Sequence, residues 1–149
     1  MNVPVNPSAP VNARGEIAIS APSGVVWGLL TGIEEWPGWQ QAVTEATLLG
    51  PLAEGTEFRW KAGGIAFRSR IHTMAERRMF GWTGTTLGAS AIHNWWFEDS
   101  EGGTTVRVEE SLEGVLPRLL RSYFQRNLDA GILTTLDELR VAAEGRVST

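Results

Sequence analysis

The sequence predicts an α+β domain in which a curved antiparallel sheet and a long C-terminal helix enclose an apolar cavity. Three observations carry this. Between Val43 and Leu112 apolar residues recur at every second position, in runs separated by glycine-rich breaks, the pattern of strands joined by short turns. After Gly114 the period lengthens to 3.6 and holds for the rest of the chain. Seven tryptophans accompany a single tyrosine, Tyr123. That many indoles suit either a deep core or a pocket walled by aromatic rings.

Residues 1–14 contain Pro4, Pro7 and Pro10 and no apolar period, so they read as an extended N-terminal arm. Gly15 to Ser20 alternates, with Ile17 and Ile19 on one face of a first strand. Ser20 is a candidate N-cap for a helix carrying Val26, Trp27, Leu30 and Ile33. Trp36-Pro37-Gly38-Trp39 reads as a sharp turn beside a second short helix. Strands follow at about 43–49, 56–62, 65–74, 78–85, 89–98 and 104–112, and their short connections make an antiparallel meander. The final stripe, Leu116, Leu120, Phe124, Leu128, Ile132, Leu136 and Leu139, gives a helix of about 28 residues, roughly 40 Å long. Gly131 falls inside it, as a close packing contact or a bend around a cavity. The expected division is an arm at 1–14, a ligand-binding domain at 15–144 and a tail at 145–149.

Composition excludes several classes of chemistry. A net charge of −4 argues against nucleic acid, whose binders present a dense basic face. The absence of cysteine removes disulfides, zinc–thiolate sites and cysteine nucleophiles. No apolar run reaches the roughly 18 residues of a membrane span, and no secretory signal is visible. The expectation is a soluble cytoplasmic protein, monomer or homodimer, that needs no cofactor.

Alternation within each strand sorts side chains by face. A turn near Asp99 to Gly103 sets Phe97 opposite Val106 and His93 opposite Glu110. A turn near Leu87-Gly88 sets Trp82 opposite His93 and Phe80 opposite Trp95. One face then collects Phe58, Trp60, Phe67, Ser69, Ile71, Phe80, Trp82, Ala91, Trp95, Phe97, Val106 and Val108. The opposite face collects Arg59, Lys61, Arg68, Arg70 and His72, a solvated set. Trp39, Tyr123 and Phe124 complete the candidate ligand-binding residues.

His93 and Glu110 are the polar pair on this apolar face. Burying either alone would cost several kcal/mol. The plainer reading is a mutual partnership that fixes register. The functional reading is a general acid/base, the carboxylate orienting an imidazole that moves a proton at a carbon beside a carbonyl. His72 and His93 face opposite sides, so no histidine metal site is expected. Gly63-Gly64 and Gly102-Gly103 lack the strand–loop–helix context of a phosphate loop. Arg118, Arg121 and Arg126, at the start of the long helix, read as an ordinary charged face or as a clamp for a ligand's carboxylate or phosphate.

The chain resembles the START-like superfamily, also called SRPBCC or polyketide cyclase/dehydrase-like, over about residues 15–144. The resemblance lies in Val26-Trp27-Gly28-Leu29-Leu30-Thr31, Trp36-Pro37-Gly38-Trp39, Gly55-Thr56-Glu57-Phe58-Arg59-Trp60, Trp82-Thr83-Gly84, Ala91 to Phe97, Gly103 to Val106 and Glu109 to Gly114. It implies the helix-grip fold, a seven-stranded sheet wrapped around a long C-terminal helix with two short helices after the first strand. Superfamily members include ligand carriers, cyclases, dehydratases and co-chaperone-like domains. Three functions follow as expectations: binding of an apolar aromatic, polyketide- or isoprenoid-like molecule; a metal-free cyclase or dehydratase using His93 and Glu110; or a protein-binding module. The last requires an exposed apolar patch, which the polar strand faces do not offer.

Overall fold

In the computed structural model, which describes residues 2–147, seven strands form one antiparallel sheet in the order β1-β7-β6-β5-β4-β3-β2. They span Val11–Ile19 (β1), Val43–Leu48 (β2), Glu57–Ala62 (β3), Ile65–Ala75 (β4), Met79–Thr86 (β5), Ala89–Ser100 (β6) and Gly103–Glu113 (β7). Helix α1, Ser23–Thr31, and a 3-10 helix, Ile33–Gly38, link β1 to β2. Helices α2, Val115–Leu119, and α3, Arg121–Val147, follow β7. This is the helix-grip arrangement that the sequence implied.

The register follows strand parity. His93 pairs with Glu110, Trp82 with His93, Phe80 with Trp95 and Phe97 with Val106. The inner face packs Phe58, Ile71, Phe80, Trp82, Trp95, Phe97, Val106 and Val108 into one core with Val26, Leu29 and Leu30 of α1. Ile132, Leu136, Leu139 and Ala143 of α3 close it. Gly15 lets β1 come this close, because a Cβ there would stand 2.8 Å from Ile132 Cγ2 and Leu136 Cδ1.

Several local expectations change. β1 begins at Val11, so the end of the arm is already paired with β7. Pro22 rather than Ser20 precedes α1 as its N-cap residue. Trp36-Pro37-Gly38 lies inside the 3-10 helix, where the Trp36 indole N–H donates to the Leu30 carbonyl at 2.9 Å. The C-terminal helix is interrupted at Leu120, whose φ of −116° and ψ of 44° leave the helical region; Pro117 lies in the first turn of α2, where its missing N–H costs nothing. Gly131 is exposed and a Cβ there would meet nothing within 4 Å, so it makes no close packing contact. Of the tail expected at 145–149, residues 145–147 extend α3 and the last two lie outside the described residues.

The largest departure is on the outer face. His72 is buried, not solvated. It sits at a β-bulge between Ile71 and Thr73, beneath the N-terminal arm. The Val3 N–H donates to His72 Nδ1 at 3.2 Å, the His72 Nε2–H to Asn94 Oδ1 at 2.7 Å, and Asn94 Nδ2 to the Val3 carbonyl at 2.8 Å. These bonds form a closed ring in which Nδ1 must be an acceptor. Farther along, the Asn6 N–H reaches Ser111 Oγ at 3.3 Å and its side chain donates to Glu113 at 2.7 Å. Elsewhere the outer face is the charged surface expected, with Arg68 and Arg70 both bonded to Glu57.

Candidate functional site

β5, β6 and β7 place Trp82, His93 and Glu110 side by side in one cross-strand row of the inner face. Neighbours in such a row have Cβ atoms about 5 Å apart. His93 Nδ1 lies 2.9 Å from Glu110 Oε1, and both side chains are nearly buried. The Trp82 indole stacks on the imidazole with ring centroids 5.0 Å apart and 13° between planes. Trp60 meets the same imidazole edge-on at 6.3 Å. The ring is thus held on one face and at Nδ1, which leaves Nε2 as the nitrogen open to another group.

Around this pair the other candidates divide by burial. Phe58, Phe80, Trp82, Trp95, Val108 and Ser69 are buried, and Ser69 Oγ accepts from the Trp60 indole at 3.0 Å. Trp39, Trp60, Phe67, Ala91 and Phe124 are half-buried. Tyr123 stands mostly exposed, edge-on to Phe124. Solvent therefore reaches the inner face at the end marked by Trp60, Phe67, Ala91 and His93, while the Phe80–Trp95–Phe97 end is sealed by α1 and α3.

Trp36 is a member of this aromatic group that sequence reading placed in a turn. It is fully buried and touches the rings of Phe58, Trp60 and Trp82 at 5.3–5.7 Å. The signal available was its spacing from Ile33, one turn back and also buried.

Among the described residues, the indole N–H groups of Trp39, Trp82 and Trp95 are buried without a hydrogen-bond partner. Such donors normally find one. Two surface pockets, of about 460 and 350 Å³, are lined by neither His93 nor Glu110, although the first touches Trp60 and Phe67. One opens on the outer face between Thr47, Arg59, Arg68 and Thr85, the other beside Trp27 and Met74. Among the described residues no group of three or more His, Asp or Glu side chains is placed to hold a metal ion. No helix there is long and apolar enough to cross a membrane.

The sequence profile of the family described as polyketide cyclase / dehydrase and lipid transport matches residues 10–142. No curated protein matches the chain. Among solved structures, hypothetical protein jhp0584 from Helicobacter pylori superposes with a TM-score of 0.83 at 15% identity, covering 96% of this chain and 97% of that one. The di-domain ARO/CYC StfQ from the steffimycin biosynthetic pathway gives 0.77 at 16% identity, over 93% of this chain and 52% of its own length. TTHA0849 from Thermus thermophilus gives 0.74 at 18% identity, covering 91% of this chain and 98% of that one. At these identities the likeness is one of fold.

Proposed function

The chain belongs to the polyketide cyclase / dehydrase and lipid transport family, and from that premise we propose that it binds an apolar, polyketide- or isoprenoid-like small molecule between the sheet and α3. The observation that carries the reading is the His93–Glu110 contact at 2.9 Å on an otherwise apolar face, at the end that solvent reaches. Aromatic side chains would supply the contact area. His93 Nε2 and the unused indole donor of Trp82, which stacks on that imidazole, would orient the ligand's oxygens. An aromatic pocket with a few fixed polar groups is the usual form of a small-molecule site.

The same contact favours a second reading, a cyclase or dehydratase. His93 Nε2 would take a proton from a carbon beside a carbonyl. The resulting enolate would expel a β-hydroxyl, which takes that proton back and leaves as water while the carbon–carbon double bond forms. Glu110 would keep the ring oriented throughout.

A thermal-shift screen against aromatic polyketides, sterols, isoprenoid quinones and fatty acids tests the binding reading. A ligand at 100 times its dissociation constant adds roughly 2.7 kcal/mol, a rise on the order of 10 °C for a domain of this size. No shift with any class would overturn it. With a hit in hand, His93→Gln separates the two readings. A carrier keeps most of its affinity, whereas an enzyme loses about two to four orders of magnitude in turnover.

A further inference from the structure

We infer that the α2 end of the molecule docks on an anionic phospholipid surface. Half of the exposed large apolar side chains among the described residues belong to the β5–β6 turn and the α2 region. Leu87, at the tip of the β5–β6 turn, is 91% exposed, Leu119 72%, Val115 64% and Tyr123 56%. The two segments are joined, since the Leu116 N–H donates to the Gly88 carbonyl at 3.2 Å and the Leu116 side chain lies against Gly88. They form one apolar prominence, not scattered single residues. The patch lies on a turn and a short helix, off the polar strand faces.

Charge identifies what this prominence fits. Between Glu113 and Asp129 there is no acidic residue, yet Arg118, Arg121 and Arg126 all fall there. All three are exposed or half-exposed, and none forms an ion pair among the described residues. A chain with a net charge of −4 thus carries a local cluster of three free positive charges interleaved with exposed leucines. That is the composition of a segment lying in a bilayer interface, its apolar side chains in the acyl boundary and its cations among anionic headgroups. The shape agrees. Leu87 and Leu119 project from a turn and a short helix, which suits insertion into a deformable apolar phase, whereas a protein partner would need a preformed socket for each.

The prominence borders the solvent-reached end of the inner face, because the Leu87 turn runs directly into β6, which carries Ala91 and His93. A water-insoluble ligand could pass between bilayer and protein there without crossing bulk water. This purpose rests on the proposed function, but docking itself does not, so vesicle binding and ligand binding can fail independently.

Co-sedimentation of the full chain with vesicles tests the inference. The protein should pellet with equimolar phosphatidylglycerol–phosphatidylcholine vesicles at low salt, remain soluble with phosphatidylcholine alone, and be released as salt is raised. Arg118→Gln and Arg121→Gln should each weaken binding roughly fivefold. Leu87→Glu with Leu119→Glu should abolish it, and Arg59→Glu on the outer face should change nothing. All five positions are exposed, so the variants should keep the parent melting temperature. Three results would overturn the inference: no pelleting with either vesicle, pelleting indifferent to the arginine and leucine variants, or a dimer in light scattering that Leu119→Glu dissolves, which would assign the patch to a second copy of the chain.

Discussion

The Trp82 indole lies flat against the His93 imidazole, 5.0 Å between centroids and 13° between planes, while Glu110 holds the ring's Nδ1 edge at 2.9 Å. Face and edge are fixed by the adjacent strands on either side of β6, so the orientation of His93 is set by strand register and not by a loop. A polar group positioned in this way keeps its aim whatever the α2 end of the molecule does.

The pair should be energetically coupled. Glu110→Leu or His93→Phe alone strands a polar partner in a nearly buried position and should cost about 1–3 kcal/mol. The double variant removes both groups and should cost less than the sum, with a coupling of at least about 1 kcal/mol in urea unfolding. Additive losses would mean that the contact contributes nothing to the fold.

Gly81 should tolerate no side chain. A Cβ there would lie 2.4 Å from His72 Cε1 and 2.5 Å from Asn94 Oδ1, inside the bond that anchors the arm. Gly81→Ala should therefore lower stability by about 1–3 kcal/mol and speed hydrogen exchange at the Val3 amide. Unchanged stability and exchange would show that the arm is held by its other contacts.

Acid should act on the outer face through Glu57. A hydrogen bond from Arg68, joined by the charges of Arg68 and Arg70, holds this carboxyl below its ordinary value. A carboxyl lowered in the folded state favours folding at neutral pH, and that contribution fades as pH falls through the lowered value. Glu57→Gln should flatten this part of the acid limb of the stability profile and converge with the parent at still lower pH. The carboxyl is half-buried at the surface and paired with exposed arginines, so the difference should be small and disappear in molar salt. A difference that grows toward acid would contradict the assignment.

Register was the most legible feature of the sequence. With two-residue periodicity and short turns, a slip of one residue would turn Phe97, Trp95 and His93 outward together, so burial leaves a single alignment. The candidate pair His93–Glu110 emerged from the same count. Parity correctly turned His72 outward but could not reveal what covers it, because the arm docks partly through the backbone of Val3, which leaves no mark in side-chain pattern. The interruption at Leu120 was hidden for a related reason. The leucine stripe runs unbroken through it, so the pattern carried no sign of the break. Trp36 was misplaced because a proline–glycine pair speaks for a turn whether or not the preceding indole is buried.

Pairing of β1 with β7 joins Val11 to Leu112, the first strand of the chain to the last. β2 to β7 can assemble hairpin by hairpin from sequence neighbours, each closure spanning few residues and costing little chain entropy. β1 has no such neighbour and must wait for β7. The anchored half of α3 waits in turn for β1, because Ile132 and Leu136 pack over Gly15. The order of assembly is thus nearly the reverse of the order of synthesis for the N-terminal segment: made first, placed among the last. Until β7 emerges, the β6 edge that β7 will cover is a strand without its neighbour, and the rate at which this domain leaves that state is governed by its longest-range contacts.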